Sequence, residues 1–346
     1  MTRKLFLCTT VCLFLSNTTF ANDADLCISN LESKSYTDAF RYCEKACNLD
    51  NGRGCNGLGF LYNMGNGVRQ DYQQAKTYYE KACNLDEGRG CSNLGRLYAV
   101  GRGVRQDYQQ AKTYFEKACN LDAGLGCFNL GLLYKKGNGV RQDYQQAKTY
   151  YEKACNLDEG RGCLNLGILY EKGNGVRQDS QQAKTYIEKA CNLDEGHGCF
   201  NLGTLYANGQ VVRQDYQQAK IYFEKACNLD DGRGCVTLGH LYENGKGVRQ
   251  DYQQAKTYYE KSCNLDEGLG CYILGVNYSL KCFAIEKPAF AECCIEDKDR
   301  QIIQSIPDFK NEASCRRESK EYYGKACDLG EQKGCDEYRE LNEQGY

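Results

Sequence analysis

Residues 68–88 read VRQDYQQAKTYYEKACNLDEG, and this block returns with small changes at Val104, Val140, Val176, Val212 and Val248, each time after 36 residues. A self-similar period of this length denotes stacked supersecondary units, none of which can bury its apolar face alone. Each block opens on an Asp-x-x-Gln capping pattern, as in Asp107 and Gln110, where the carboxylate can accept an otherwise unpaired amide proton at a helix start. Tyr108, Ala111, Phe115 and Ala118 then fall on one face at helical spacing. Ahead of each block lies a second helical pattern, Gly-Cys-x-x-Leu-Gly-x-Leu-Tyr, which gathers Leu94, Leu97 and Tyr98 on one side. A Gly-rich turn such as Gly101-Arg102-Gly103 joins the two. The glycine inside the first helix recurs at Gly59, Gly95, Gly131, Gly167, Gly203, Gly239 and Gly275, which points to a close helix crossing, since a glycine there otherwise only weakens the helix. No strand alternation interrupts the pattern. The expected fold is all-α, a right-handed α-solenoid of αα-hairpins, running as one domain over residues 22–346 with an irregular Cys-rich insertion at about 276–320 and a C-terminal cap at 321–346.

The 346 residues contain 24 Cys and only 2 Pro. Cysteine at about 7% would be a redox liability in a reducing compartment, so a disulfide-bonded, exported protein is expected. Residues 1–21 supply the means: basic Arg3 and Lys4, the apolar run Leu5 to Leu15, and Thr19-Phe20-Ala21 before a cleavage point read as a signal peptide. Eleven apolar residues fall short of the ~20 needed to span a bilayer, and no other segment is expected to cross one, so no membrane anchor remains after cleavage. Cleavage removes Cys8 and Cys12 and leaves 22 cysteines. The net charge of −2 offers no general attraction to a polyanion, so nucleic acid is not an expected partner.

The NLGxLYxxGxGV and DYxxAxxYxxKA signatures over residues 55–275 resemble Sel1-like repeats, relatives of the tetratricopeptide repeats. The eight-residue cysteine spacing within CNLDEGRGC is similar to that of the Helicobacter cysteine-rich protein family, a secreted Sel1-like group. That resemblance implies extracellular or periplasmic location, penicillin binding and slow β-lactam hydrolysis, with a β-lactam or peptidoglycan-derived ligand. It implies no cofactor.

Two cysteine connectivities suit antiparallel neighbours, because Cys91 could also join Cys119 within a hairpin. Past Cys271 the next second-helix cysteine, Cys327, lies 56 residues on instead of 28, yet Cys327 and Cys335 keep their separation of eight. The pair travels with the short spacing, which favours local bridges in agreement with the resembled family: Cys47–Cys55, Cys83–Cys91, Cys119–Cys127, Cys155–Cys163, Cys191–Cys199, Cys227–Cys235, Cys263–Cys271 and Cys327–Cys335. Each nine-residue loop restricts the unfolded chain by ~2.5 kcal/mol in the chain-entropy treatment. Cys27 and Cys43 are expected to tie a shortened first hairpin. Adjacent Cys293 and Cys294 cannot comfortably bond each other and are expected to take Cys282 and Cys315 as partners.

Metal and redox chemistry find little support. The paired cysteines have seven residues between them, no Cys-x-x-Cys occurs, and His197 and His240 are the only histidines, 43 residues from each other. The machinery of serine β-lactamases is missing too: no Ser has Lys at +3, with Leu265 following Ser262, Gly95 following Ser92 and Cys282 following Ser279, and there is no Lys-Thr-Gly. No catalytic residue is nominated, and no metal.

A binding signal lies in where the repeats differ. Second helices are nearly constant, whereas Asn56, Ser92, Phe128, Leu164, Phe200, Val236 and Tyr272 form one varied first-helix series and Phe60, Arg96, Leu132, Ile168, Thr204 and His240 another. The expected binding positions are Arg96, Leu132, Ile168, Thr204 and His240, lining a concave groove for an extended peptide, a host or periplasmic protein, or a glycan-like polymer. His197 replaces an arginine and carries no such expectation. Gly209-Gln210-Val211-Val212 departs from the usual turn, and Val211 would be strained where Gly175 stands if that position has positive φ.

Overall fold

The structure is a computed structural model that describes residues 23–288, 291 and 295–346. The leader assigned to residues 1–21 and Cys293 and Cys294 lie outside the described residues. Among those described there is no strand, and helices follow one another in antiparallel pairs. In chain order they are α1 (23–32), α2 (Tyr36–Asn48), α3 (Gly52–Met64), α4 (Tyr72–Asn84), α5 (Gly88–Val100), α6 (Tyr108–Asn120), α7 (Gly124–Lys136), α8 (Tyr144–Asn156) and α9 (Gly160–Lys172). There follow α10 (Ser180–Asn192), α11 (Gly196–Asn208), α12 (Tyr216–Asn228), α13 (Gly232–Asn244), α14 (Tyr252–Asn264), α15 (Gly268–Glu286), α16 (Asp297–Ser305), α17 (Glu312–Asp328) and α18 (Gln332–Glu343). The chain divides into two compact units, Met1–Asp179 and Ser180–Tyr346.

The second helices begin as their sequence dictates. Asp107 Oδ1 accepts from the amides of Gln109 at 2.9 Å and Gln110 at 3.0 Å. Only half of a capping box forms, because the Asp107 amide donates to the Tyr98 carbonyl and so ties the second helix to the first. First helices end on a left-handed glycine, Gly101 with φ 77°, whose amide closes on Leu97 O.

Within a hairpin the two helices approach over glycine. A Cβ on Gly95 would stand 2.7 Å from the Phe115 ring, and the same seat at Gly131 and Gly239 receives Tyr151 and Tyr259. The buried second-helix aromatic therefore occupies the volume the first helix gives up. Between hairpins a further glycine, Gly90, lies where a Cβ would be 2.5 Å from Ala82 Cβ, and beside this contact Cys83 bonds Cys91 with Cα atoms 4.5 Å apart. Such bridges join Cys47–Cys55, Cys119–Cys127 and Cys155–Cys163 in the first unit, and Cys191–Cys199, Cys227–Cys235, Cys263–Cys271 and Cys327–Cys335 in the second. Cys27–Cys43 closes the pair α1–α2.

The same junction holds a device that the repeat pattern alone does not announce. The Asp after each second helix from α2 to α14 has positive φ, 56° at Asp86, a conformation Asp adopts more readily than most side chains. This turns its carboxylate toward the next hairpin, where Lys117 Nζ meets Asp86 Oδ1 at 3.0 Å and donates to the Cys83 carbonyl at 2.7 Å. Lys81, Lys153 and Lys225 repeat the arrangement. These pairs are largely exposed and each is worth no more than ~1 kcal/mol, so the bridges and buried faces set the stacking.

Two departures stand out in the second unit. Gly175 has φ 68°, whereas Val211 is not among the residues with positive φ, so the 209–212 turn takes another path. The regular turn glycine lies against a tyrosine 31 residues earlier, as Gly247 does on Tyr216; in the 180/211 pair Ser180 stands for the tyrosine and Val211 for the glycine, a reciprocal exchange of size. Cys282 and Cys315 bond each other, with Cα atoms 5.5 Å apart, and not Cys293 and Cys294 as the sequence suggested. The reason is that α15 runs to Glu286 and packs along α17, which brings these two buried sulfurs together. α15 is also long and apolar enough to cross a membrane by length and composition, contrary to the expectation that only the leader approached this. Leu274, Tyr278 and Cys282 on it are buried against protein.

Candidate functional site

The varied first-helix positions fall on one face of each unit, in two rows. The inner row is partly core: Ser92, Leu164 and Val236 are buried, while Phe128, Phe200 and Tyr272 keep part of their rings open. Those rings rest on the buried second-helix aromatics, Phe128 on Tyr151 and Phe200 on Phe223 with centroids 6.0 and 5.8 Å apart. Cations from the following hairpin cover them, Arg161 at 5.0 Å from the Phe128 centroid and Arg233 at 4.6 Å from Phe200. Where the inner row is polar, amides bridge successive hairpins: Asn93 donates to Asn56 at 2.9 Å and Asn129 to the Ser92 hydroxyl at 3.2 Å.

The outer row carries the five expected binding residues, one per hairpin. In the first unit Arg96 is exposed and Leu132 and Ile168 are half-buried. In the second, Thr204 is half-buried and spends its hydroxyl on Phe200 O, and His240 is exposed. Arg96 faces the Tyr79 phenol, whose ionisation burial drives well up against the pull of that guanidinium. Close to Leu132, Lys135 donates to Asn165 Oδ1 at 2.9 Å, and burial together with Lys172 and Lys136 lowers its pKa.

His240 belongs to a polar cluster invisible in the sequence pattern. Its Nδ1 lies 3.0 Å from the Tyr259 hydroxyl, which donates to Glu243 Oε2 in a short hydrogen bond. Lys298 on α16 reaches Glu243 Oε1 at 2.8 Å. Burial opposes the Glu243 charge, but hydrogen bonds from His240, Lys298 and Tyr259 outweigh it and hold the carboxyl down at about 2. Burial and the Glu243 hydrogen bond push Tyr259 far up. Tyr79 and Tyr151, at the same position in their hairpins, have buried hydroxyls with no hydrogen-bond partner among the described residues. Glu243 was legible only as the i+3 neighbour of His240, and Lys298 sits in the insertion, where no repeat indicates a register.

The face offers both apolar and polar contacts, and the serines singled out in the sequence are already engaged in the fold. Ser92 is fully buried, Ser262 donates to Gly232 O, and Ser279 shares a hydrogen bond with Ser319. His197 lies exposed on α11, 3.7 Å from both Glu195 and Asp231. Among the described residues no three His, Cys, Asp or Glu side chains gather to hold a metal.

Tandem helix pairs stapled at every junction, with one varied face, define a disulfide-rich helical repeat scaffold. The chain belongs to the Sel1 repeat family, whose model matches residues 30–51, 52–87, 88–122, 124–159, 160–195, 196–231, 233–267 and 316–331. A Sel1 repeat protein from Oxalobacter formigenes is similar in structure, with TM-score 0.61 and 26% identity, covering 69% of this chain and 98% of that one. A protective antigen present in uropathogenic Escherichia coli strains displaying an SLR fold gives TM-score 0.56 at 23% identity, covering 88% of this chain and 59% of that one. Helicobacter pylori cysteine rich protein B is 38% identical over 39% of this chain and 97% of its own, with TM-score 0.32. In sequence, 46 residues are 41% identical to an uncharacterized protein of Haemophilus influenzae, covering 13% of this chain and 83% of that protein. Repeats of this kind are interaction scaffolds, and the many disulfides fit an oxidising, extracellular or periplasmic compartment.

Proposed function

We propose that this protein is an exported, non-enzymatic scaffold that binds an extended peptide segment of a partner protein along its first-helix faces. The observation that carries the reading is the placement of variation: hairpins that share almost every second-helix residue differ at Arg96, Leu132 and Ile168, and at Thr204 and His240, all on the faces that keep exposed edge. Constant second helices supply packing, and the changing first-helix row gives each hairpin its own chemistry, as a non-repeating ligand needs. Export rests on the leader at residues 1–21 and on the density of bridges. Penicillin binding and β-lactam hydrolysis, implied by family resemblance, gain no support from the buried serines or the scattered histidines, and a peptidoglycan fragment remains an alternative occupant of the same face.

The test is display selection of random peptides on the oxidised protein. Selected peptides should bind at least about fivefold more weakly to Arg96→Glu/Leu132→Glu, a loss of ~1 kcal/mol such as one interface contact contributes, with unchanged thermal unfolding. Equal binding would remove the face from consideration. Turnover of a chromogenic cephalosporin that follows the protein through every purification step would replace the scaffold reading with an enzymatic one.

A further inference from the structure

Glu243 presents a prepared anionic position at the edge of the second unit's first-helix face. Its side chain is only 15% exposed, yet its own hairpin already provides for it: Tyr259 donates to Oε2, and His240 Nδ1 lies 3.5 Å from the same oxygen. The other oxygen, Oε1, is the one that takes Lys298. Lys298 adds to a carboxylate that already has two neighbours on Oε2, and of the three partners it alone comes from outside the hairpin.

The segment that delivers Lys298 is lightly held. α16 has nine residues, shorter than an isolated helix that persists in water, and only Ile302 on it is buried, with Ile306 just beyond. An open cleft of about 800 Å³ separates Gln301, Gln304 and Ser305 from Tyr242 and Arg249 of the hairpin. In the regular repeats a turn glycine sits directly on the tyrosine that begins a second helix, as Gly247 does on Tyr216; the residue 31 after Tyr252 is Phe283 inside α15, and no such turn follows. The Lys298 side chain stays 47% exposed, and half-exposed ion pairs hold weakly.

We propose that Glu243 is a subsite for a lysine side chain of a bound peptide, and that Lys298 fills it in cis, making α16 a strap that closes this part of the face until a competing lysine displaces it. The inference rests on the peptide-binding reading given above. It also fixes a preference. One carboxylate oxygen is committed to Tyr259, so an arginine fork cannot engage both oxygens, whereas a compact ammonium needs only Oε1.

The experiment uses acetylated, amidated tetralysine and tetra-arginine peptides with the oxidised full chain at low ionic strength. Lys298→Ala should bind tetralysine about fivefold more tightly than the parent, the equivalent of removing one weak exposed ion pair as competitor, and Glu243→Gln in that background should abolish the gain. Tetra-arginine should gain less. In the parent, tetralysine should accelerate amide exchange over 297–305. Equal affinity of parent and Lys298→Ala, a gain that survives Glu243→Gln, or unchanged exchange at 297–305 would each reduce Lys298 to a structural staple. The exchange arm needs no variant, so it decides even if a substitution unfolds the segment. Failure of the Arg96→Glu/Leu132→Glu test alone would count against the peptide face of the first unit while leaving these measurements readable.

Discussion

Hairpins α7–α8 and α13–α14 have second helices of one sequence but for Ser262, and each seats a tyrosine ring over a first-helix glycine, Tyr151 on Gly131 and Tyr259 on Gly239. They differ in what the first helix brings to that ring. Leu132 and Lys135 leave the Tyr151 hydroxyl without a partner, whereas His240 and Glu243 take up the Tyr259 hydroxyl and link it to Lys298. A constant second helix thus becomes an apolar prop in one hairpin and part of a charged cluster in another. Divergence of two first-helix positions, with Lys298 supplied by α16, makes that change while the second helix stays constant.

The comparison breaks most completely where both hairpins rely on the same thing. Gly131→Val and Gly239→Val both drive new carbon atoms into a ring already 2.6 Å from a Cβ position, so each should lose about 3 kcal/mol in urea unfolding, the upper part of the overpacking range. A hairpin that accepts valine would show that the glycine is not the seat of the ring. Next in size, Glu243→Ala takes one of two partners from the Tyr259 hydroxyl and removes charged hydrogen bonds, an expected loss of about 2 kcal/mol, while Lys135→Ala should cost well under half of that because Lys135 is already disfavoured by burial and by Lys172 and Lys136.

Removing the two hydroxyls should give opposite signs. Tyr259→Phe leaves Glu243 short of a donor and should destabilise by about 1 kcal/mol, whereas Tyr151→Phe relieves an unpaired buried hydroxyl and should be neutral or stabilising by up to about 1 kcal/mol. Equal effects would erase the distinction between the hairpins. The hairpins should differ in pH dependence as well. The Glu243 carboxyl is held at about 2 in the fold, below its unfolded value of 4.5, so its contribution is fully present above pH 4.5 and is lost as pH falls through 2. Glu243→Gln should flatten the acid limb of stability in that window, and an unchanged limb would mean that other carboxylates dominate it.

Much of this architecture could be read directly. Asp107 announces a helix start, Gly95 a close crossing, and Cys83 with Cys91 a local staple, because each depends on short-range spacing that a period of 36 repeats for the reader. Asp86 was harder: the positive φ and the cross-hairpin Lys117 contact are consequences of packing, though an aspartate recurring at that place from Asp50 to Asp266 was the available signal. The Glu243 cluster and the Cys282–Cys315 bridge were not legible. Both draw a partner from residues 297–315, where the period fails and only the folded chain shows what comes near.

The staples also bear on how such a chain finds its own pairing. Near-identical repeats make every second-helix thiol chemically interchangeable with the others, a setting that invites scrambling during oxidation. Separation along the chain breaks the tie. Loop closure falls off as roughly the three-halves power of length, so a thiol 8 residues away meets its partner roughly six times as often as one 28 away. Encounters on that shorter scale take on the order of 0.1 μs or less, so they recur many times over the seconds or more that bond formation takes. The eight-residue spacing is then a sorting rule carried by the unfolded chain itself, which favours the local partner over the distant one wherever oxidation begins.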